Sequence, residues 1–182
     1  MTDKWAFDAS DGELVVHTGV TGRAARMGHR LTIAVTRWRA TVNWAGTEPV
    51  GVELVAETES FEVLRGEGGV KGLSGPEKVM AKSNAMKSLD AGRYPEIRYA
   101  ATDIAKNDGG YRLTGALQIH GKSRDHVVDV RTEDLGDSWR MSAESLVRQS
   151  DYGVKPYSLL MGSVRVADEV AVSFTAVHAK DD

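Results

Sequence analysis

Apolar and polar residues alternate along most of the chain, which is the pattern of β-strands with one buried face. Leu31, Ile33 and Val35 alternate on odd positions. From Trp38 to Trp44 the apolar positions become even, and such a change of parity is what a β-bulge produces. Because closing a barrel requires long, bent strands, this segment favours a barrel over a flat sheet.

The last alternating segment runs from Val164 to Phe174. It follows residues 150–157, a stretch that contains Asp151, a glycine and a proline and therefore predicts an ordered turn. A final strand left at a sheet edge would be open to unwanted pairing with other chains. We therefore expect this strand to close a barrel and the turn to lie at the barrel mouth.

One helix is predicted in the middle of the chain. Ser74 and Glu77 have the spacing of a capping box, and Gly92 can end the helix. An apolar stripe that begins at Val79 is expected to face the core. The glycine-rich residues 66–75 before the helix suit a rim loop, and whether loop and helix move as a lid stays open.

The strand count predicts an all-β fold. We expect an eight-stranded antiparallel up-and-down (lipocalin-like) β-barrel with one helix inserted between the third and fourth strands. Short connections in the second half imply that strands adjacent in sequence pair in space. A barrel of this size is either filled by side chains or holds one small ligand. Residues 1–182 are predicted to form a single domain.

Composition and charge exclude several classes of function. The chain has no cysteine, which excludes disulfides, thiol catalysis and cysteine-ligated metals. A net charge of −3 provides no general attraction for nucleic acid. No stretch approaches the ~20 apolar residues of a transmembrane segment, and the first residues do not resemble a signal peptide. A cytoplasmic protein is predicted.

Two glycine-containing segments resemble nucleotide-binding motifs without matching them. Residues 121–123 read Gly-Lys-Ser, but Ala116 stands where a P-loop requires glycine. Near Gly66, the third glycine of a dinucleotide fingerprint would fall on Lys71. No cofactor is predicted.

The five histidines have no metal-ligand spacing, so no metal site is predicted. His126 falls on an apolar strand face, where it is either a core histidine or a polar anchor for a ligand head group. One alternative is a barrel enzyme with His29 or His126 as general base, supported by Asp151 or Tyr157. No nucleophile motif is present, no catalytic residue is assigned, and we expect a protein that is not an enzyme.

Several segments together resemble one known family. They are residues 93–99, 111–121, 128–130, 150–154 and 168–172. In this order and spacing they are similar to the YceI-like family, lipocalin-like barrels that bind polyisoprenoid and related long-chain amphiphiles. The chain departs from the family pattern at Gln149, where the family has arginine, and at His126, which replaces a valine.

The resemblance implies a non-catalytic binding or transport protein. Its ligand would be a long-chain hydrophobic molecule held in the barrel: a polyisoprenoid, an isoprenoid quinone or a fatty-acid-like lipid. A homodimer is left open, and so is a closed barrel filled by aromatic side chains and acting through its surface. Strand parity, with the turn at the mouth, predicts the ligand contacts Leu31, Ile33, Val35, Trp38, Phe61, Leu113, Leu117, Ile119, His126, Val128, Trp139, Tyr152, Tyr157 and Met161.

Overall fold

Strands make up most of the molecule, a computed structural model that describes residues 2–181. This part of the chain contains fourteen strands, one α-helix and four 3₁₀ turns. The strands before the helix are β1 (Thr2–Asp8), β2 (Gly12–His17), β3 (Val20–Thr21), β4 (His29–Val35), β5 (Trp38–Ala45), β6 (Glu48–Glu57) and β7 (Phe61–Gly68). After α1 (Gly75–Leu89) come β8 (Glu96–Asn107), β9 (Gly110–Ile119), β10 (Lys122–Asp134), β11 (Ser138–Arg148), β12 (Ser158–Leu159), β13 (Val164–Val166) and β14 (Glu169–Ala179). The 3₁₀ turns are Ala25–Met27, Thr58–Ser60, Gln149–Tyr152 and Leu160–Gly162.

Eleven strands form one antiparallel sheet, in the order β1-β5-β6-β8-β9-β10-β11-β14-β2-β4-β7. Because β14 pairs with β2, and β2 follows β1 after three residues, the sheet curls round until its late strands meet its early ones. The architecture is therefore an all-β barrel with one helix. The short strands β12, β13 and β3 form a separate sheet.

Two bends interrupt the strands before the helix, and the first of them lies where the change of parity predicts a bend. The chain bends at Thr36 and Arg37 between β4 and β5, and at Thr58–Ser60 between β6 and β7. The buried Ser60 hydroxyl accepts the Arg37 N–H at 3.0 Å and donates to the Glu57 carbonyl at 2.7 Å. A buried serine is suited to this position because it satisfies backbone groups that the strand pairing leaves free.

The observed sheet has eleven strands rather than the predicted eight. Besides the two bends, β1 is not among the predicted strands, which begin near Glu13, and the predicted strand from Val164 to Phe174 is divided. Its first part is β13 of the small sheet, and its second part is β14 of the large sheet. The break is stabilised at Asp168, whose carbonyl accepts the Gln149 N–H at 2.8 Å. The helix lies between β7 and β8.

The helix begins as predicted and ends earlier. The Ser74 hydroxyl accepts the Glu77 N–H at 3.3 Å and donates to the Glu77 carboxylate at 2.9 Å. The helix ends at Leu89 because Asp90 adopts a left-handed conformation with φ of 49°, so Gly92 plays no part in ending it. The predicted stripe is also wrong at its start, since Val79 is 71% exposed.

Candidate ligand-binding cavity

A cavity of about 1380 Å³ occupies the barrel interior. Its wall consists of inward-facing residues at alternate strand positions, such as Leu113, Leu117 and Ile119 of β9 and Met141 and Ala143 of β11. Typical small-molecule sites have volumes of roughly 300–1,000 Å³. The interior is therefore large enough for a ligand bigger than a drug-sized molecule.

The cavity reaches both ends of the barrel. At the end next to α1, which we call the helix end, its lining includes the exposed side chains of Met27, Met80 and Leu160. At the opposite end, the hairpin end, polar Thr47 and Lys106 contribute to the lining. The helix end thus exposes large apolar side chains beside polar ones such as Glu77 and Arg165, and both ends of the cavity carry polar groups.

A polar pair interrupts the apolar wall. His126 Nε2 of β10 and Ser145 Oγ of β11 are 2.5 Å apart. Burial lowers the pKa of His126, which favours a neutral imidazole at neutral pH. The Tyr99 hydroxyl donates to the His126 carbonyl at 2.9 Å, and burial raises the pKa of Tyr99 to about 12, so it remains a donor. The pair can accept a hydrogen bond from a polar ligand group or donate one to it.

The turn predicted at the mouth lies at the helix end and is held by several contacts. Both the backbone N–H and the hydroxyl of Ser150 donate to the Asp168 carboxylate, at 2.8 and 2.5 Å. Arg124 donates to the Asp151 carbonyl at 3.3 Å. Tyr152 is buried and lines the cavity, and burial together with the nearby Asp151 carboxylate raises its pKa. Tyr152 therefore contributes a protonated hydroxyl to this end of the site.

Comparison with known proteins identifies the family of this barrel. A family model described as a YceI-like domain matches residues 5–178, which is nearly the whole chain. The chain belongs to the YceI-like family. No curated protein matches it.

Solved structures share the fold of this YceI-like chain. BcnA of Burkholderia cenocepacia superposes with a TM-score of 0.70 at 20% identity, over 94% of this chain and 99% of BcnA. The YceI protein of Campylobacter jejuni gives a TM-score of 0.60 at 14% identity, over 82% of this chain and 85% of its own. A mutant of the latter with a monobromobimane guest gives 0.61 at 14% identity and the same coverage. At such identities the likeness shows the fold alone.

Twelve of the fourteen predicted contact residues line the cavity. They are Leu31, Ile33, Val35, Phe61, Leu113, Leu117, Ile119, His126, Val128, Trp139, Tyr152 and Tyr157. Trp38 does not: it has the inward parity of Ala40 and Val42, which line the cavity, but it is buried with its ring edge-on against Phe174, with centroids 5.2 Å apart. Met161 does not either, because its left-handed backbone, with φ of 57°, leaves its side chain fully exposed. Trp139 and Phe61 line the space without filling it.

The two histidines considered as bases have different surroundings. His29 lines the helix end, and its Nε2 lies 2.6 Å from the Lys71 carbonyl oxygen. His126 pairs with Ser145. Within residues 2–181 neither histidine has an acidic hydrogen-bond partner, and Asp151 is paired with Arg124 at 3.9 Å.

The predictions miss the aromatic group contributed by β1. Trp5 lines the cavity and stacks on His178 with centroids 4.1 Å apart and planes at 9°, while Trp44 lies 4.7 Å away. The signal was present as the alternation of Trp5 with Phe7. Ser145 was also missed, although it continues the inward parity of β11.

Residues 2–181 contain neither a side-chain cluster suited to a metal ion nor a helix that could cross a bilayer. No group of three or more His, Cys, Asp or Glu side chains converges there so that it could hold a metal ion. The one α-helix of this region is too short and too polar to cross a bilayer.

Proposed function

We propose that this YceI-like chain is a non-catalytic carrier of a long-chain hydrophobic ligand held inside the barrel. The ligand classes that fit are polyisoprenoids, isoprenoid quinones and fatty-acid-like lipids. The observation that carries the proposal is the apolar cavity of about 1380 Å³ that extends between the two ends of the barrel. Membership of a family of lipid-binding barrels supports it.

Burial of an alkyl chain supplies the binding energy. Each methylene moved from water into the cavity contributes about 0.8 kcal/mol. A chain of about 15 methylenes therefore gains roughly 12 kcal/mol, against an association cost of ~4–15 kcal/mol. Longer chains bind with a net gain and need few polar contacts. We assign the polar contact to His126 and Ser145, which lie 2.5 Å apart in the wall.

Three further predictions belong to this proposal. Each pair of strands separated by a bend acts as one bent strand, so that the predicted eight strands, with β1 added as a ninth, form the barrel wall. The protein acts in the cytoplasm. Outer strands are available for a homodimer, which sedimentation velocity of the purified protein would detect.

Native mass spectrometry of protein purified without detergent, followed by organic extraction, tests the carrier role. We expect a stoichiometric long-chain lipid or, for an empty protein, uptake of a fluorescent long-chain fatty-acid probe. Ala143→Trp places an indole within the cavity, and we expect it to weaken probe binding at least about tenfold because buried chain length is lost. Ala116→Trp adds the same ring on the exposed face of β9 and serves as the control. A bare protein that takes up no probe refutes the carrier role.

The non-catalytic part of the proposal has its own test. The contact between Ser145 and His126 resembles a hydroxyl nucleophile beside a base, and this contact favours a long-chain ester hydrolase as the second candidate. An acidic group that orients the histidine is lacking at His126 within residues 2–181. We expect no labelling of Ser145 by a fluorophosphonate and no hydrolysis of a long-chain nitrophenyl ester. Labelling that disappears in Ser145→Ala would establish the hydrolase instead.

A further inference from the structure

The helix end carries an apolar rim around the cavity opening. Seven large apolar side chains at this end are each more than half exposed, and six of them are Met27, Val79, Met80, Leu159, Leu160 and Met161; the seventh is Val70, in the glycine-rich loop. Four of these residues (Met27, Met80, Leu159 and Leu160) also line the cavity, so the rim is continuous with the interior wall. We call these six residues the mouth rim. Exposed apolar surface gathered at one place marks an interaction site.

The backbone conformation of Leu160 and Met161, at the tip of the mouth rim, exposes their side chains. Leu160 and Met161 have left-handed backbones, with φ of 52° and 57°, a conformation that residues with side chains rarely adopt. The loop is fixed in this state because the Ser163 hydroxyl donates to the Leu160 carbonyl at 2.7 Å. The Ala24 N–H in turn donates to the Ser163 carbonyl at 2.8 Å. The two side chains are thus presented outward by a fixed loop.

Positive charge surrounds the mouth rim. Residues 19–30, 65–93 and 149–168, which form this end of the barrel, contain eleven Lys and Arg but five Asp and Glu, a net charge of +6. The whole chain carries −3, so the remaining residues carry −9. Arg23 and Arg26 precede Met27 and form no salt bridge within residues 2–181. The three segments at the helix end are therefore cationic, whereas the rest of the molecule is acidic.

We propose that the mouth rim docks on the surface of an anionic lipid bilayer, where the cavity exchanges its ligand. The rim side chains enter the apolar boundary of the bilayer, and the surrounding cations contact anionic head groups. A second copy of the chain fits this surface poorly, because a symmetric dimer would bring two ends of +6 together. The inference rests on the carrier role proposed above and adds the place of loading.

Vesicle binding tests this docking. Vesicles of phosphatidylglycerol and phosphatidylcholine in equal amounts are compared with vesicles of phosphatidylcholine alone by cosedimentation. We expect binding to the anionic vesicles only, and weakening of that binding as salt rises, since salt screens the charges. Each basic residue near an anionic surface contributes on the order of fivefold in affinity, so Arg23→Gln with Arg26→Gln should weaken binding ~25-fold. Lys4→Gln with Arg131→Gln makes the same charge change near the hairpin end and should have no effect.

A second pair of variants tests the apolar contact. Leu160→Asn with Met161→Asn removes two apolar side chains without adding backbone strain, because asparagine tolerates the left-handed region. We expect at least a tenfold loss of vesicle binding from the burial that is lost. Leu146→Asn with Val127→Asn removes two exposed apolar side chains from the barrel wall and should leave binding unchanged.

The outcomes separate this proposal from the carrier role. A wild-type protein that takes up the fatty-acid probe but ignores anionic vesicles overturns the docking and leaves the carrier role in place. Vesicle binding by a protein that contains no lipid and takes up no probe leaves the membrane docking in place and refutes the carrier role. The docking is also overturned if the rim variants and their controls lose vesicle binding equally. It is overturned likewise if the protein forms a dimer in solution that Leu160→Asn with Met161→Asn dissociates.

Discussion

The length of the cavity predicts how affinity depends on the length of the ligand. Both ends of β9, Gly110 and Ile119, contribute to the cavity lining. Nine steps of about 3.4 Å along the strand give roughly 31 Å, which corresponds to roughly 23 Å along the axis of a barrel whose strands tilt by about 40°. An extended alkyl chain advances about 1.3 Å per carbon, given C–C bonds near 1.5 Å. The cavity therefore accommodates a straight chain of roughly 18 carbons.

This prediction is tested by measuring the affinity for a series of straight-chain alcohols whose length increases by two carbons at each step. Each two-carbon step buries two more methylenes, which stabilise the complex by about 1.6 kcal/mol and raise the affinity roughly 15-fold. Displacement of a fluorescent long-chain probe, measured below the concentration at which each alcohol aggregates, yields the affinities. We expect a steep rise up to about 18 carbons and a plateau beyond, because further methylenes remain in water.

A substitution in the wall should move the plateau. Ala143 lies at the middle of β11 and is paired with Val130 and Phe174, so Ala143→Trp obstructs the cavity about halfway along. The plateau should then fall to roughly half its wild-type length, whereas Ala116→Trp should leave it in place. An affinity that does not depend on chain length, or that still rises at 24 carbons, would refute the estimate of the cavity length.

Two predictions concern the polar groups of the wall. Burial lowers the pKa of His126, so below its ordinary value near 6.5 the unfolded chain binds more protons than the folded one. The free energy of unfolding should therefore fall as pH decreases from about 6.5 through the lowered pKa. Urea titrations at several pH values measure this free energy, and His126→Gln should remove its dependence on pH. If the variant keeps the pH dependence of the wild type, His126 is not its source. Tyr99→Phe removes the hydroxyl that donates to the His126 carbonyl at 2.9 Å, and it should destabilise the fold by about 1–3 kcal/mol. Thermal unfolding measures this loss, and an unfolding temperature equal to that of the wild type would argue against a stabilising role of the bond.

Local rules account for the predictions that agree with the structure. A capping box needs only two residues three positions apart, and Ser74 with Glu77 forms it as expected. Strand parity is equally local, and for this reason twelve of the fourteen chosen residues line the cavity. Trp38 keeps the inward parity of its strand but lies buried against Phe174 rather than at the cavity surface, and that contact joins residues distant in sequence.

The sequence by itself determined the strand-rich class, the start of the helix and most of the inward-facing set, since each follows from the period of a strand or the chemistry of a cap. Only the tertiary structure decided that the barrel is open rather than filled. That outcome depends on the radius of the curled sheet relative to the summed volume of all inward side chains. The pairing of His126 with Ser145 was likewise decided by the packing of β10 against β11. The cationic apolar mouth exists because three segments that are far apart in sequence meet at the helix end.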